Sequence, residues 1–414
     1  MDTKELPAHP CLEQYKKQAK NLLKSVKSGH PEALQHSLQR IKKDHPRFGR
    51  LADLELSGAK LALADAQLVI AREHGFESWP GFAKHIEGLN RQGSPVSRFE
   101  SAVDAVVTGD VAKLQQLLRE NPELVRQSST FLHHATLLHY VGANGVENYR
   151  QKTPQNVVQV AEVLLRAGAD INAAADIYGG SDTLGLAATS VHPFLAGVQD
   201  ALMDTLLAHG ANLHDERLVH ACLGNGRGHA AEHLAKRGAS LDLEGAAGVG
   251  RLDLVKSFFN EDGTLKTNVT QRQMECGFVW ACQYGRTNVI EFLLGTDLKV
   301  DAMPHGITGL HWAAYTARVP IVKLLLDRKA PLELRDGRFR GTPLGWALHA
   351  WDDPPPEPVG EPRRHWEVVA LLIAAGATVD SALPADPRRR SLLIEKVRAD
   401  ARMTAALGSQ MPTQ

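Results

Sequence analysis

The segment TGLHWAAYTA, residues 308–317, begins with a threonine that is followed three positions later by a histidine and then by small and aromatic side chains. The same opening recurs as TLLHYVGANG (136–145) and TPLGWALHA (342–350), with weaker copies at 245–255 and 278–286. Threonine can cap the free N–H groups at the start of a helix. Each copy is therefore predicted to begin the first helix of a repeated unit.

A second recurring element closes the units. It consists of the end of an amphipathic helix and the residues that terminate this helix. In four of five copies a glycine stands just past the helix. Glycine can adopt a left-handed backbone conformation there without the strain that a Cβ atom brings. In the fifth copy Lys329 takes this place. The five copies are VLLRAGADIN (163–172), TLLAHGANLH (205–214), HLAKRGASLD (233–242), LLLDRKAPLE (324–333) and LLIAAGATVD (371–380).

Together the two elements resemble the ankyrin repeat, T-P-L-H-x-A at the opening and G-A-x-h-N at the close, over residues 99–380. The resemblance implies an all-α ankyrin-repeat solenoid, in which helix-turn-helix repeats of about 33 residues carry β-turn fingers. Longer strings, among them ANGVENYRQKTP, DIYGGSDTLGLAATSVHP, EGAAGVGRLDLV and ADAQLVIAREHGFESWPGFAKHIE, are similar to those of a bacterial subfamily of ankyrin-repeat proteins. This resemblance implies an architecture and no particular activity.

The histidines of the opening element are interpreted as structural. His139 follows Thr136, and His311 follows Thr308, by one helical turn, so each ring can return a hydrogen bond to the cap. The alternative, a metal-binding or catalytic histidine, has less support because neither has a second ligand at i+4. The neighbouring His133 is expected to point to a different face from the histidine that follows it.

Unequal spacing between the closing positions indicates insertions. Gly168 and Gly210 are 42 residues apart, Gly210 and Gly238 only 28, and Lys329 and Gly376 are 47 apart. The long intervals contain VENYRQKTPQN (146–156), SVHPFLAGVQ (190–199) and WDDPPPEPVGEPRRHW (351–366). All three are predicted to lie at the turn between the two helices of a repeat, at the end opposite the fingers, with the first two side by side.

The first two insertions are candidate binding loops. A scaffold has no packing reason to lengthen two adjacent turns with charged and aromatic side chains, and tyrosine and arginine often anchor interfaces. The alternative is a loop that merely tolerates insertion, since added length costs little free energy. The candidate partner-binding residues are Glu147, Tyr149, Arg150, Gln151, Lys152 and His192, to which the subfamily resemblance adds Asp176 and Tyr178.

Two flanking regions complete the predicted organisation. Residues 1–92 form an N-terminal helical module, with helices predicted at 11–29, 31–43, 63–75 and 78–89, and Phe76, Trp79 and Phe82 are expected to seal it. Residues 90–98 are a linker, and 99–380 form the repeat array. Residues 381–414 form a C-terminal capping helix and tail, with one polar helix predicted at 386–407.

Composition limits the possible functions. The 47 basic side chains balance the 47 acidic ones, although the first fifty residues hold eleven Lys or Arg against five Asp or Glu. Four irregularly spaced cysteines, and the lack of a signal peptide or an apolar run long enough to span a membrane, predict a cytoplasmic chain with reduced thiols.

No phosphate-binding, hydrolase or metalloprotease motif is present, and GNGRG (224–228) is interpreted as a helix-to-helix turn. We predict a non-enzymatic scaffold that binds a protein partner and needs no cofactor. The alternative is a binder of a small anionic ligand or, less favoured, of nucleic acid through Arg150 and Lys152.

Overall fold

A computed structural model describes residues 3–27, 31–52, 55–56, 58–354 and 364–411. The described residues form α-helices and short 3-10 helices and no β-strand, which confirms the all-α prediction. Three isolated β-bridges close tight turns, Ser128 with Thr136, Ala175 with Ser181 and Phe259 with Leu265. The chain divides into two compact units, residues 1–212 and 213–414. The domain boundaries proposed at 92, 99 and 380 stay predictions.

The first unit contains ten α-helices among its described residues. They are α1 (Leu12–Lys27), α2 (Pro31–Asp44), α3 (Leu63–Glu73), α4 (Trp79–Leu89), α5 (Pro95–Thr108), α6 (Val111–Glu120), α7 (Val157–Arg166), α8 (Thr183–Thr189), α9 (His192–Leu195) and α10 (Gln199–Ala208). Three 3-10 helices lie between α6 and α7, at Pro122–Arg126, Leu137–Gly142 and Asn148–Arg150.

The N-terminal helices form where the amphipathic pattern places them. The predicted cap, Ser78, accepts a hydrogen bond from the backbone N–H of Gly81 at 3.3 Å, and α4 begins at the next residue. Phe76 and Phe82 are buried in the core of these helices with Trp79 packed against it, as predicted. Gly29, the predicted end of α1, lies outside the described residues. Phe131 belongs to the same core although it follows the predicted linker.

The second unit contains thirteen α-helices among its described residues. They are α11 (Glu216–Gly224), α12 (Gly228–Lys236), α13 (Leu243–Val249), α14 (Leu252–Ser257), α15 (Gln271–Tyr284), α16 (Thr287–Leu294), α17 (Gly309–Tyr315), α18 (Val319–Asp327), α19 (Pro343–Asp352), α20 (His365–Ala374), α21 (Val379–Ala382), α22 (Pro387–Ala399) and α23 (Ala401–Leu407). A 3-10 helix follows at Gly408–Gln410. The GNGRG segment joins α11 to α12, as predicted.

One hydrophobic core runs through the second unit from Leu243 to Leu407. The C-terminal helices contribute Leu393, Val397 and Met403 to it, so they bury apolar surface of the unit. The prediction of a single helix at 386–407 is wrong, because the helix is interrupted at Asp400. Its carboxylate accepts hydrogen bonds from two backbone N–H groups, both at 2.9 Å, and so begins a second helix.

The closing elements adopt the predicted left-handed conformation. The φ angles are 91° at Gly168, 90° at Gly210, 99° at Gly238 and 105° at Gly376. Lys329 also has a positive φ, 59°, so the substituted copy keeps the same turn despite the strain of a Cβ atom. The residue at this position is therefore left-handed in all five copies.

The capping histidines have the predicted structural role. Nδ1 of His139 lies 2.8 Å from Oγ1 of Thr136 and accepts the backbone N–H of that threonine at 3.1 Å. The ring proton is then on Nε2, which donates to the carbonyl of Ala173 at 2.9 Å. His311 repeats the arrangement, with Thr308 at 2.7 Å and the carbonyl of Gly341 at 3.2 Å.

The helix that follows Thr136 differs from the expected α-helix, because Leu137–Gly142 is a 3-10 helix. Gly142 packs so closely on the next repeat that a Cβ atom there would lie 2.8 Å from Cβ of Leu186. Ala143 then ends the helix with a φ of 47°. Most of the third insertion, residues 355–363, lies outside the described residues.

Candidate interaction surface at the inserted loops

The first inserted loop, residues 146–156, lies beside the second insertion, as predicted. Nε2 of Gln155 donates to the carbonyl of Ala196 at 3.2 Å. The residues just before the loop also reach the second insertion, since Oγ of Ser190 donates to the carbonyl of Ala143 at 3.1 Å. Gly145, directly before the loop, packs against a finger, because a Cβ atom there would collide with Ile177 in the finger closed by the Ala175–Ser181 bridge.

The charged centre of the loop points inward, contrary to the expectation of an outward binding loop. The guanidinium of Arg150, whose side chain is 12% exposed, donates from Nη1 to Oε2 of Glu100 at 2.6 Å and from Nη2 to Oδ1 of Asp104 at 2.9 Å. Nη1 also lies 3.4 Å from Oε1 of Glu147, which is fully buried. Burial leaves Glu147 without surface to offer a partner, and the positive charge of Arg150 is shared among three carboxylates of this chain.

Two further buried side chains face Glu147. The hydroxyl of Tyr140 donates to Oε1 at 3.3 Å. Nδ1 of His133 accepts the backbone N–H of Ala135 at 3.0 Å, so the ring proton is on Nε2, which faces Oε2 of Glu147 across 3.4 Å. Burial alone would raise the pKa of Glu147, but the facing His133 ring and the Arg150 guanidinium outweigh it and hold this pKa below its ordinary value.

Two other buried groups next to Arg150 have displaced pKa values. Burial raises the pKa of Glu100 to about 7, a rise that Arg150 opposes and the neighbouring Glu147 carboxylate increases. Burial lowers the pKa of His85 to about 4, with Arg150 acting in the same direction. The single guanidinium of Arg150 faces three carboxylates, so this buried site has excess negative charge. At acid pH the neutral form of Glu100 therefore has a lower free energy than the ionised form.

The raised pKa of Glu100 predicts a pH-dependent effect of Glu100→Gln. The ordinary pKa is 4.5 and the folded value about 7, so the folded chain holds this proton more tightly. Stability from this carboxyl is fully present below pH 4.5 and is lost as the pH rises to about 7. Relative to wild type, Glu100→Gln should gain up to about 3 kcal/mol in free energy of unfolding between these pH values.

Urea denaturation of both proteins at several pH values measures this difference. His85 titrates in the same interval with the opposite sign, and subtracting one protein from the other at each pH cancels its contribution. A difference that is flat between pH 4.5 and 7 would contradict the prediction, because it would mean that Glu100 is already ionised at pH 4.5 in the folded protein.

The remaining predicted site residues occupy different positions around the loop. Tyr149 is half-buried, with the guanidinium of Arg150 5.6 Å from its ring centroid. Gln151 is half-buried and donates from Nε2 to the carbonyl of Val146 at 2.8 Å. Lys152 is exposed, and His192 is half-buried at the start of α9.

Asp176 and Tyr178 lie on the neighbouring finger and are exposed. Oδ2 of Asp176 lies 2.7 Å from Nδ1 of His134, which faces solvent while His133 is buried, as predicted. Tyr178 is 74% exposed, and its hydroxyl donates to Oδ1 of Asn144 at 3.0 Å. This bond joins the finger to Asn144, two residues before the inserted loop begins.

A second finger, residues 336–341, was not among the predicted site residues. The fully buried Asp336 carboxylate accepts hydrogen bonds from the backbone N–H groups of Arg338, Phe339 and Gly341 at 2.6–2.8 Å, and from Nε1 of Trp346 at 3.1 Å. Phe339 at its tip is 66% exposed. The signal in the sequence was an aromatic side chain inside the turn segment RDGRFRG, where polar residues and glycine are usual.

A family model for ankyrin repeats, three copies long, matches residues 243–336. Residues 243–336 contain ankyrin repeats. The finger at 336–341 begins where this match ends, and the extension of the array to 99–380 stays a prediction, as does the bacterial subfamily. Among solved structures, the human ASB11 ankyrin repeat domain is similar with 19% identity and a TM-score of 0.35, covering 67% of this chain and 97% of that chain. No curated protein matches this chain.

Among the described residues, no group of three or more His, Cys, Asp or Glu side chains could hold a metal ion. Sγ of Cys276 lies 3.2 Å from Nε2 of His305, but burial and the nearby Glu244 raise the pKa of this thiol to about 11, so it stays protonated at neutral pH. Within the described ranges, no helix is both long and apolar enough to cross a membrane.

Proposed function

We propose that this protein is a non-catalytic scaffold for protein–protein interaction, and that one of its binding surfaces consists of the Tyr178 finger with the outer part of the inserted loops. Ankyrin repeats in general are protein-interaction modules, and repeat arrays offer extended surfaces for recognition. The observation that carries the proposal is the exposed ring of Tyr178, held in place by its hydroxyl bond to Asn144.

The conformation of Tyr178 supports a binding role. Its φ is 50°, a left-handed value that a residue with a Cβ atom adopts at an energetic cost, although two glycines follow directly. The ring gains little from its own chain, since it is mostly exposed. An exposed, oriented tyrosine loses little conformational entropy on binding, which is why such side chains are frequent at interfaces.

The alternative, an anionic ligand or nucleic acid at the Arg150 and Lys152 loop, has less support from the geometry. Arg150 already contacts the carboxylates of Glu100 and Asp104 and is almost buried. Lys152 then remains as the exposed cation of the predicted pair. A single exposed ammonium group is a weak site for a phosphate-containing ligand.

We further propose the cytoplasm as the compartment of this scaffold. None of the four cysteines forms a disulfide bond, and Cys222, Cys276 and Cys282 are buried. Cysteines without disulfide bonds are typical of a reducing compartment.

Affinity capture from cell extract tests the proposed surface, with wild type, Tyr178→Ala and the matched variant Leu63→Ala compared side by side. Leu63 is another exposed apolar side chain of the same unit and lies outside the inserted loops. A protein retained by wild type and by Leu63→Ala but lost from Tyr178→Ala, and then bound directly as a purified protein with the same preference, would support the proposal. Equal retention by all three proteins would contradict the proposed surface, and retention of nucleic acid or small molecules alone would contradict the proposed function.

A further inference from the structure

The finger at residues 336–341 is rigid, and its rigidity is independent of any partner. Four hydrogen bonds converge on the carboxylate of Asp336. The backbone N–H of Gly337 also donates to the carbonyl of Gly306 in the preceding turn at 2.8 Å, and Arg340 adopts a positive φ of 59°. Side chains at the tip are therefore presented in one arrangement before anything binds, which lowers the entropic cost of binding.

An aromatic stripe leads away from the finger along α19 and α17. The ring centroid of Phe339 is 6.3 Å from that of Trp346, which is 5.2 Å from Trp312 and 5.6 Å from Tyr315. His349 continues the stripe at 6.4 Å from Tyr315. Trp346 is buried and Trp312 and Tyr315 are half-buried, so the stripe has an apolar floor and an exposed edge. The exposed Phe339 has no packing role comparable to that of Trp346.

Three arginines lie in the finger or directly before it. Arg335, Arg338 and Arg340 are exposed, and none forms a salt bridge with a residue that the structure describes. The guanidinium of Arg338 lies 5.0 Å from the ring centroid of Phe339. The one acid of the finger, Asp336, is buried, and its hydrogen bonds outweigh the burial and keep its pKa below the ordinary value. The finger tip therefore combines an apolar ring with a local positive charge.

We propose that this surface, the finger at 336–341 with the aromatic stripe, binds an acidic segment of a partner protein that carries an aromatic or leucine side chain. The carboxylates of the segment pair with the arginines of the finger, and its apolar side chain packs on Phe339 and the exposed edge of the stripe. This inference rests on the proposed scaffold function and assigns it a second surface, on the unit at residues 213–414, together with the chemistry of its ligand.

The charge distribution favours a peptide over single-stranded nucleic acid, although aromatic rings and arginines can bind either. The three arginines lie in the finger and directly before it, whereas the stripe ends one helical turn beyond His349 at the exposed carboxylate of Asp353. A nucleic acid carries a phosphate at every step and needs cations along the whole path. A peptide can place its acidic residues at the finger and a neutral residue at the other end.

Selection from a randomised peptide display library tests the proposal on the full-length chain. Peptides enriched on wild type are synthesised with a fluorescent label, and their Kd values are measured by anisotropy against wild type and against Phe339→Ala with Arg338→Glu. The matched control is Leu392→Ala with Arg388→Glu, which removes an exposed apolar side chain and reverses an exposed charge on α22 of the same unit. Labelled oligothymidine of fifteen nucleotides serves as a nucleic-acid probe.

We expect the enriched peptides to be rich in Asp and Glu and to contain Phe, Trp or Leu. Their Kd should rise at least about tenfold in the finger variant, and the control should stay within about twofold of wild type. Circular dichroism of both variants checks that they are folded, since the substituted side chains are exposed. Binding that weakens as the salt concentration rises would agree with charge pairing.

Enrichment of neutral or basic peptides, equal binding by the finger variant, no enrichment at all, or oligothymidine binding that depends on Phe339 and Arg338 would each overturn the inference. The proposed function is tested separately. If the display selection fails while a captured protein is still lost from Tyr178→Ala, the scaffold function stands and only the second surface is wrong.

Discussion

Replacing Arg150 by alanine is expected to lower the free energy of unfolding of the unit at residues 1–212 by about 3–5 kcal/mol. The side chain is 12% exposed and faces the carboxylates of Glu100, Asp104 and Glu147. Removing it leaves Glu147 fully buried and Glu100 largely buried without their common counter-charge. A buried charge that loses its partner retains its desolvation cost, so the loss should exceed that of an exposed salt bridge several-fold.

Urea denaturation followed by circular dichroism measures this loss, and hydrogen exchange of the amides in α5 localises it to the helix that carries Glu100. Lys152→Ala is the matched control, because it removes an exposed cation two residues away and should change stability by no more than about 0.5 kcal/mol. If Arg150→Ala is as stable as Lys152→Ala, the ion-pair cluster contributes little and Arg150 becomes available to a partner, as an outward loop would require.

Combining Arg150→Ala with Glu100→Gln distinguishes the loss of the attraction between the two side chains from the cost of burying the Glu100 carboxyl without a counter-charge. Loss of Arg150 raises the pKa of Glu100 still further, so at neutral pH the folded variant must either take up a proton at Glu100 or keep a stranded charge. Glu100→Gln removes either cost, so the double variant should recover part of the stability lost by Arg150→Ala. Simple addition of the two single effects would show that the two side chains are energetically independent, in conflict with the 2.6 Å contact between them.

Asp336→Ala is expected to destabilise the second unit by about 3 kcal/mol and to release the finger at 336–341. The carboxylate accepts four hydrogen bonds, one of them from the indole Nε1 of the buried Trp346. Without the carboxylate, the indole N–H of Trp346 has no acceptor in the core. The backbone N–H groups of Arg338 and Phe339 also lose the acceptor that fixes the turn. Hydrogen bonds to a charged group are stronger than neutral ones, and buried donors left unsatisfied are costly.

Equilibrium denaturation measures the stability change, and hydrogen exchange of the amides of Phe339 and Gly341 reports the finger directly. Asp353→Ala, an exposed carboxylate just after α19, is the matched control and should leave both readings unchanged. Protected finger amides in Asp336→Ala would show that the turn is held by other contacts, such as the Gly337 bond to the carbonyl of Gly306, and that its rigidity does not depend on Asp336.

Features decided within a few residues could be predicted well. The capping of α4 by Ser78 and the threonine–histidine pairs depend on groups less than one turn apart, so sequence spacing is sufficient to find them. The break at Asp400 is also local, and an aspartate followed by helix-forming residues was the available signal. It was missed because helix-forming residues stand on both sides of this aspartate.

The positions of the loop side chains could not be predicted, because their partners are distant in sequence. Arg150 meets Glu100 and Asp104 from positions 50 and 46 residues away. A segment rich in charge and aromatic residues has the same composition whether it faces solvent or fills a polar site inside the fold. Whether the accessible loop residues bind a partner stays a prediction.

The sequence by itself determined the repeated architecture, since capping residues and left-handed turns act through local backbone energetics that each repeat carries with it. Lys329 shows this well, because the turn persists at a φ of 59° even without its glycine. Only the tertiary structure decided which polar side chains stay at the surface. It buries Glu147 and exposes Tyr178 and Phe339, because burial of a charge depends on whether folding brings a counter-charge to it, and that is a property of the packed chain rather than of any one segment.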